Sequence, residues 1–304
     1  MMASQEMETL KTGMKMMMEK GFAPKFDGKM DPLNLREVVF AAQKRMPAEP
    51  GIEFLPVTYG GVTGEINRPE QKKDDYIIIY IHGGGLICGN AFSSRGYASM
   101  LAAETKRDVY TLDYRLAPEN RFPAAVDDAF AFYQGGLEEH KNTPIFLIGE
   151  SGGAYLCITT MMKCRDEEVK KPAGIVPYSA PIDFAGRIDR HFEGNKDFTV
   201  TPDGLETLKD MLLEEKDLDN VYANPYLDDL HGFCPVLLAW DESESLAVDQ
   251  KIIVDKLEKQ GSPCQYKSYP DCFHAFATAG RGTEESREVL RDTIAFFEKY
   301  KTQA

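Results

Sequence analysis

The sequence has no C-x-x-C pair and no regular cysteine spacing. Its six cysteines, Cys88, Cys157, Cys164, Cys234, Cys264 and Cys272, are scattered, which argues against a disulfide framework and against a zinc site. Several lie inside apolar runs and read as small, reduced core residues. Long apolar runs are also missing. None approaches the length that spans a membrane, and Glu6, Glu8, Lys11 and Lys15 interrupt the methionine-rich N-terminus, so no signal-peptide core forms. The expectation is a soluble cytoplasmic protein without membrane insertion. A basic excess is absent as well: 49 acidic against 35 basic residues leave a net charge of −14, which repels nucleic acid and anionic lipid. There is no G-x-x-x-x-G-K-[ST] or G-x-G-x-x-G nucleotide loop, no low-complexity tract and no internal repeat.

What remains is a globular composition over 304 residues, enough for one large α/β domain with an insertion or for two smaller domains. Met2, Met7, Leu10, Met14, Met17 and Met18 recur at mostly helical spacing before Gly21. They predict an amphipathic helix over 2–20 that packs on the body, and such flexible side chains also suit an adaptable apolar pocket. A second helix is expected from Asn34 to Arg45, between Pro32 and Pro47. Extended patterns at 52–58 and 62–66 and a strong buried strand at 76–81 open an alternation. It continues through helix 96–105, strand 109–113, helix 123–139, strand 144–148, helix 152–165 and strand 174–178. It resumes with strand 236–240, helix 246–260, strand 265–269 and a final helix at about 283–300. Such alternation predicts a mainly parallel sheet with helices on both faces. The gap between 183 and 233 is too long for a simple connection; an inserted lid, helical around 202–213, is expected.

Residues 149–153 read Gly-Glu-Ser-Gly-Gly, where strand 144–148 meets helix 152–165. A strand turning directly into a helix strains the middle serine, exposes its hydroxyl and needs small neighbours at Gly149 and Gly153. Ser151 also sits near a helix N-terminus, where free N–H groups favour developing negative charge. The motif recurs by chance and needs partners. After the strand ending at Ile81 come His82, Gly83, Gly84 and Gly85, whose backbone can approach a ligand closely. The N–H groups of Gly83, Gly84 and Gly152 are the candidate oxyanion hole. Among five histidines, His274 follows the last expected strand on the sheet edge that carries Ser151, and is the candidate base. His82 is placed to organise the glycine loop, whereas His140, His191 and His231 read as surface residues. A carboxylate must orient the base. Asp241, Glu242, Glu244 and Asp249 all follow strand 236–240, and spacing does not choose between them. The order serine, acid, histidine is the α/β-hydrolase order.

Together, His82–Gly85, residues 113–119 (Asp-Tyr-Arg-Leu-Ala-Pro-Glu), 122–129, 149–153 and 273–276 resemble the hormone-sensitive-lipase-like family of α/β-hydrolase carboxylesterases. The resemblance covers most of the chain. It implies an α/β-hydrolase fold in a single domain over 1–304, with a helical cap formed by about 1–48 and 184–226. It also implies Glu244 as the acid, since Glu244 stands two residues before Leu246 and five before Asp249; Asp241 is the fallback. Asp113, Arg115 and Glu119 become a structural framework. The family usually has Asp and Ala where this chain has Glu150 and Gly152, a longer carboxylate behind the turn and a looser residue within it.

The implied function is a serine esterase for short- to medium-chain acyl esters that uses Ser151, His274 and Glu244 and needs no metal or cofactor. Relatives often pair into homodimers. With an unshifted His274, activity is expected to rise with pH through roughly 6–7. Two other readings share the fold: a non-catalytic small-molecule-binding protein, as in plant hormone receptors that lack a working triad, and an amidase or peptidase. The latter often carry an accessory domain that 304 residues do not accommodate.

Overall fold

The computed structural model describes residues 3–44 and 48–302; Met2, Arg45 and Pro47, named above as helix positions or flanks, lie outside them. Eight strands form one sheet: Ile52–Tyr59 (β1), Val62–Pro69 (β2), Ile77–Ile81 (β3), Val109–Leu112 (β4), Ile145–Glu150 (β5), Gly174–Tyr178 (β6), Val236–Asp241 (β7) and Cys264–Tyr269 (β8). Their order is β1-β2-β4-β3-β5-β6-β7-β8. β2 is antiparallel to both β1 and β4, and every pair from β4 to β8 is parallel.

The helices are Gln5–Glu19 (α1), Pro32–Gln43 (α2), Ala91–Thr105 (α3), Ala124–Glu139 (α4), Gly152–Asp166 (α5), Pro202–Leu212 (α6), Ala247–Lys259 (α7) and Glu284–Tyr300 (α8). Because strand side chains alternate, β3 feeds two cores. Ile77, Ile79 and Ile81 join Phe132 of α4, Leu156 of α5 and Ile253 of α7, whereas Ile78 and Tyr80 join Leu101 of α3 and Phe296 and Phe297 of α8. Both sheet faces are therefore covered, and the buried strands read as continuous apolar runs. Among the described residues no helix is long and apolar enough to cross a membrane.

Three helix starts differ from the expected ones by two residues or more, each for a local reason. α1 begins at Gln5, because Ser4 caps it by accepting the Met7 N–H at 3.1 Å. α2 begins at Pro32, because Asp31 caps it by accepting the Leu33 N–H at 3.2 Å and proline at the first helical position forfeits no hydrogen bond. α3 begins five residues before position 96, where Asn90 and Ser93 form a reciprocal capping box.

The chain passes from β3 to β4 on one side and then returns to β5 on the other. The carboxyl ends of β3 and β5 therefore flank a topological switch point, where open α/β sheets form their ligand crevice. The break between β6 and β7 contains α6. It is joined to the N-terminal segment: Phe26 bridges Val200, its N–H donates to Thr199 O at 2.8 Å, and the Thr201 N–H donates to Phe26 O at 3.0 Å. α2 is tied to the body by Arg36, which pairs with Glu119 at 2.7 Å and donates to the Ile87 carbonyl at 2.7 Å.

Glycine substitutions should separate two roles. A Cβ on Gly153 would lie 2.0 Å from the Ile81 carbonyl oxygen, whereas one on Gly13 would meet nothing within 4 Å. Gly153→Ala should lose about 1–3 kcal/mol or more through forced backbone movement, and Gly13→Ala, in an exposed helix, should gain roughly 0.5–1 kcal/mol. Urea unfolding followed by circular dichroism checks both.

Candidate active site

Ser151 is the hinge between β5 and α5 and adopts φ 52°, ψ −121°. Such a conformation costs a non-glycine residue about 1–3 kcal/mol and persists only where surroundings impose it. They do: the Ser151 N–H donates to Tyr178 O at 2.9 Å. A Cβ on Gly149 would lie 2.6 Å from the Gly153 carbonyl carbon and 2.7 Å from Ile81 O. The small residues on either side of the turn are thus required by backbone contact.

The glycine loop after β3 differs from expectation at one position. The Gly83 N–H donates to the Glu150 carboxylate, Oε1, at 2.7 Å, so it is spent and unavailable to a substrate oxygen. Gly84 and Gly85 follow with φ 98° and 60°, conformations that suit glycine. Among the described residues no acceptor takes the N–H of Gly84, Gly85 or Gly152. A Cβ on Gly152 would lie 3.2 Å from the Leu86 nitrogen and 3.4 Å from the Gly85 nitrogen, so the glycine loop passes close to the start of α5. His82 steadies the loop: its Nδ1 meets Gly83 O at 2.8 Å and its ring stacks on Tyr114 at 4.2 Å. Burial pushes the His82 pKa down to about 4, so it is neutral near pH 7.

The four acids at and beyond the end of β7 separate by partner. Asp241 accepts from the Cys272 N–H at 2.9 Å and the Ser243 hydroxyl at 2.6 Å. Asp249 pairs with Arg190 at 2.7 Å, and Glu242 takes the Ser268 hydroxyl at 2.7 Å. Glu244 meets His274: Oε2 lies 3.1 Å from Nδ1 and also accepts the Ser179 hydroxyl at 2.9 Å. With the Nδ1 proton directed to Glu244, Nε2 carries the lone pair. His274 Nε2 is buried with no hydrogen-bond partner among the described residues, and His274 and Ser151 line the same cavity. Burial disfavours the imidazolium, but the hydrogen bond and charge of Glu244 outweigh it, and the His274 pKa is raised above 6.5.

That cavity holds about 270 Å³ and is walled by Met14 and Met18 of α1, by Phe26 and by Val39 of α2. The methionine helix therefore does both things its pattern allows, since Met7 is fully buried in the core beside α8 while Met14 and Met18 face the cavity. A larger cleft of about 570 Å³, between residues 183–191 and α6, contains none of Ser151, His274 and Glu244. Asp228, Asp229 and His231 could bring ligand atoms together for a metal, but Asp228 is already paired with Arg165 at 2.9 Å. His140 is not a free surface residue: it is half-buried, with Nε2 3.0 Å from Tyr110 OH and 3.2 Å from Tyr59 OH. The framework residues act separately, Asp113 accepting the Ala91 N–H at 2.7 Å and Arg115 pairing with Asp128 at 2.7 Å. Ser179, Tyr114 and Gly85 carry no sequence signal that separates them from neighbours of the same type.

A family model described as "alpha/beta hydrolase fold" matches residues 78–278. A protein named Esterase from Acinetobacter venetianus is 27% identical over 268 residues, covering 87% of this chain and 88% of its own length. A hormone-sensitive lipase from a metagenome library superposes with a TM-score of 0.89 at 26% identity, covering 99% of this chain and 100% of its own. EstE5, in a crystal soaked with p-nitrophenyl butyrate, gives 0.87 at 25% identity with coverage of 99% and 100%. With its glycine loop and its strand–serine–helix turn set at one switch point of the sheet, the chain belongs to the α/β-hydrolase fold family and, within it, to the hormone-sensitive-lipase-like esterases.

Proposed function

We propose that this esterase cleaves short- to medium-chain acyl esters through a covalent acyl-serine. The Ser151 oxygen attacks the acyl carbonyl as His274 Nε2 takes its proton, and Glu244 orients the imidazole and stabilises the imidazolium. The N–H groups of Gly84, Gly85 and Gly152 hold the oxyanion. The alkoxide leaves with the proton from His274; water, deprotonated by the same nitrogen, then attacks the acyl-enzyme, and Ser151 is released with the carboxylic acid. The observation that carries this reading is the 3.1 Å contact between His274 Nδ1 and Glu244, which leaves Nε2 free in the cavity that Ser151 lines.

The N-terminal segment and the β6–β7 insertion, joined through Phe26 and Val200, act as the cap. Cavity size supports small substrates, because about 270 Å³ lies just below the usual range of roughly 300–1,000 Å³ for drug-sized ligands. Across p-nitrophenyl esters from acetate to dodecanoate, kcat/KM should peak at the shorter chains; a maximum at dodecanoate contradicts the assignment of chain length.

Ser151→Ala should lower kcat on p-nitrophenyl butyrate by about 10⁴–10⁶-fold and abolish labelling by a fluorophosphonate. Retained turnover removes the nucleophile assignment. Glu244→Gln should cost about 10²–10⁴-fold in kcat, with Asp241→Asn much milder; the reverse ranking transfers the acid to Asp241. Since the base works only when neutral, the raised His274 pKa puts the rising limb of kcat/KM above pH 6.5. In Glu244→Gln that limb should move to lower pH, as burial then acts on the imidazolium unopposed.

A further inference from the structure

Glu150 is an acid beside the nucleophile that the proposed acyl transfer does not use. Its Oε1 accepts the Gly83 N–H at 2.7 Å, and its Oε2 is buried without a partner among the described residues. Glu150 lines the same cavity as Ser151 and His274. Pairing between β3 and β5 ends at Ile81 and Gly149. Two residues beyond Ile81, the Glu150 side chain supplies the acceptor for Gly83 after the backbone ladder has stopped. It folds back over that residue, so that a Cβ on Gly83 would lie 3.1 Å from Oε1 and 3.3 Å from Cγ.

We propose that Glu150 is a positioning residue, which fixes the oxyanion loop by holding the Gly83 N–H so that the next two glycine N–H groups face Ser151. This rests on the ester-hydrolase reading for its catalytic consequence. The Gly83 peptide groups are held from both sides: Glu150 takes the N–H, while His82 Nδ1, at 2.8 Å, and the Tyr114 hydroxyl, at 3.1 Å, meet its carbonyl oxygen. Gly84 and Gly85, which follow, have the least conformational restraint of any residue type, and an oxyanion hole works only when its donors are already in place. Glu150 thereby links the two halves of the site, since the residue that precedes the strained serine also anchors the loop that faces it. A carboxylate, a carboxylic acid and an amide each present an oxygen that accepts an N–H. The clamp therefore depends on an acceptor oxygen, and charge is dispensable.

The test compares the wild-type chain with Glu150→Ala, Glu150→Gln and Glu150→Leu. Steady-state kinetics use p-nitrophenyl butyrate, inhibition uses a butyl trifluoromethyl ketone whose serine adduct places an oxyanion in the hole, and backbone amide exchange is followed across residues 82–88. Glu150→Ala should lose about 10–100-fold in kcat with KM within about threefold, weaken the ketone by a similar factor and speed amide exchange in the loop. Glu150→Gln should recover most of each loss, and Glu150→Leu, similar in size but without an acceptor oxygen, should resemble Glu150→Ala even if the alanine variant fails to fold. The proposal is overturned by unchanged exchange in Glu150→Ala and Glu150→Leu, or by lost turnover with unchanged ketone affinity. It is equally overturned if Glu150→Gln is as impaired as Glu150→Ala and its pH limb has moved, because Glu150 then acts through charge on His274. A wild type without ester turnover removes the esterase reading, while the exchange contrast still decides the clamp.

Discussion

The close approach of β3 to the β5–α5 turn is the contact on which the rest of the site depends. Gly149 and Gly153 lack side chains where a Cβ would strike the Ile81 carbonyl at 2.7 and 2.0 Å. Because they do, the carboxyl ends of two adjacent parallel strands and the start of α5 share one small volume. The serine turn and the glycine loop each come from a different strand and cannot meet otherwise. The same crowding holds Ser151 at φ 52°, a strain sustained by surrounding contacts and by no local preference of serine.

Burial then governs the acids. A buried carboxylate without donors is costly, and in a chain of net charge −14 donors decide where each one settles. Asp249 takes an arginine, Asp241 takes a backbone N–H and a hydroxyl, Glu244 takes a hydroxyl and an imidazole, and Glu150 takes a backbone N–H. Among the described residues, the polar atoms left unpaired near the chemistry are His82 Nε2, Glu150 Oε2, Glu244 Oε1 and His274 Nε2.

The β-α alternation is legible in the sequence because apolar runs of strand length and helices of longer period follow one another, and each expected strand from β3 onward lies on an observed one. Helix starts are less legible, since Asn90 and Asp31 set them through caps outside the hydrophobic pattern. The insertion shows in the sequence as a break that carries one helix, around 202–213, on which α6 lies. Its attachment to the N-terminal segment through Phe26 and Val200 joins residues far apart in the chain. His140 reads as a surface residue because its charged neighbours are visible locally and its two tyrosine partners are not.

By itself the sequence determined the strand–serine–helix turn, the three-glycine loop, the histidine after the last strand and the small set of acids from which its partner comes. Those are local features, fixed by residue type and by period. The structure decided which of three equivalent glycines loses its N–H, which of four acids reaches His274 and which methionines face the cavity. Each answer rests on contacts across the fold, such as Gly83 with Glu150, 67 positions apart, and Glu244 with His274, 30 apart. No local pattern encodes such distances, because they exist only once the sheet has brought its carboxyl edges together.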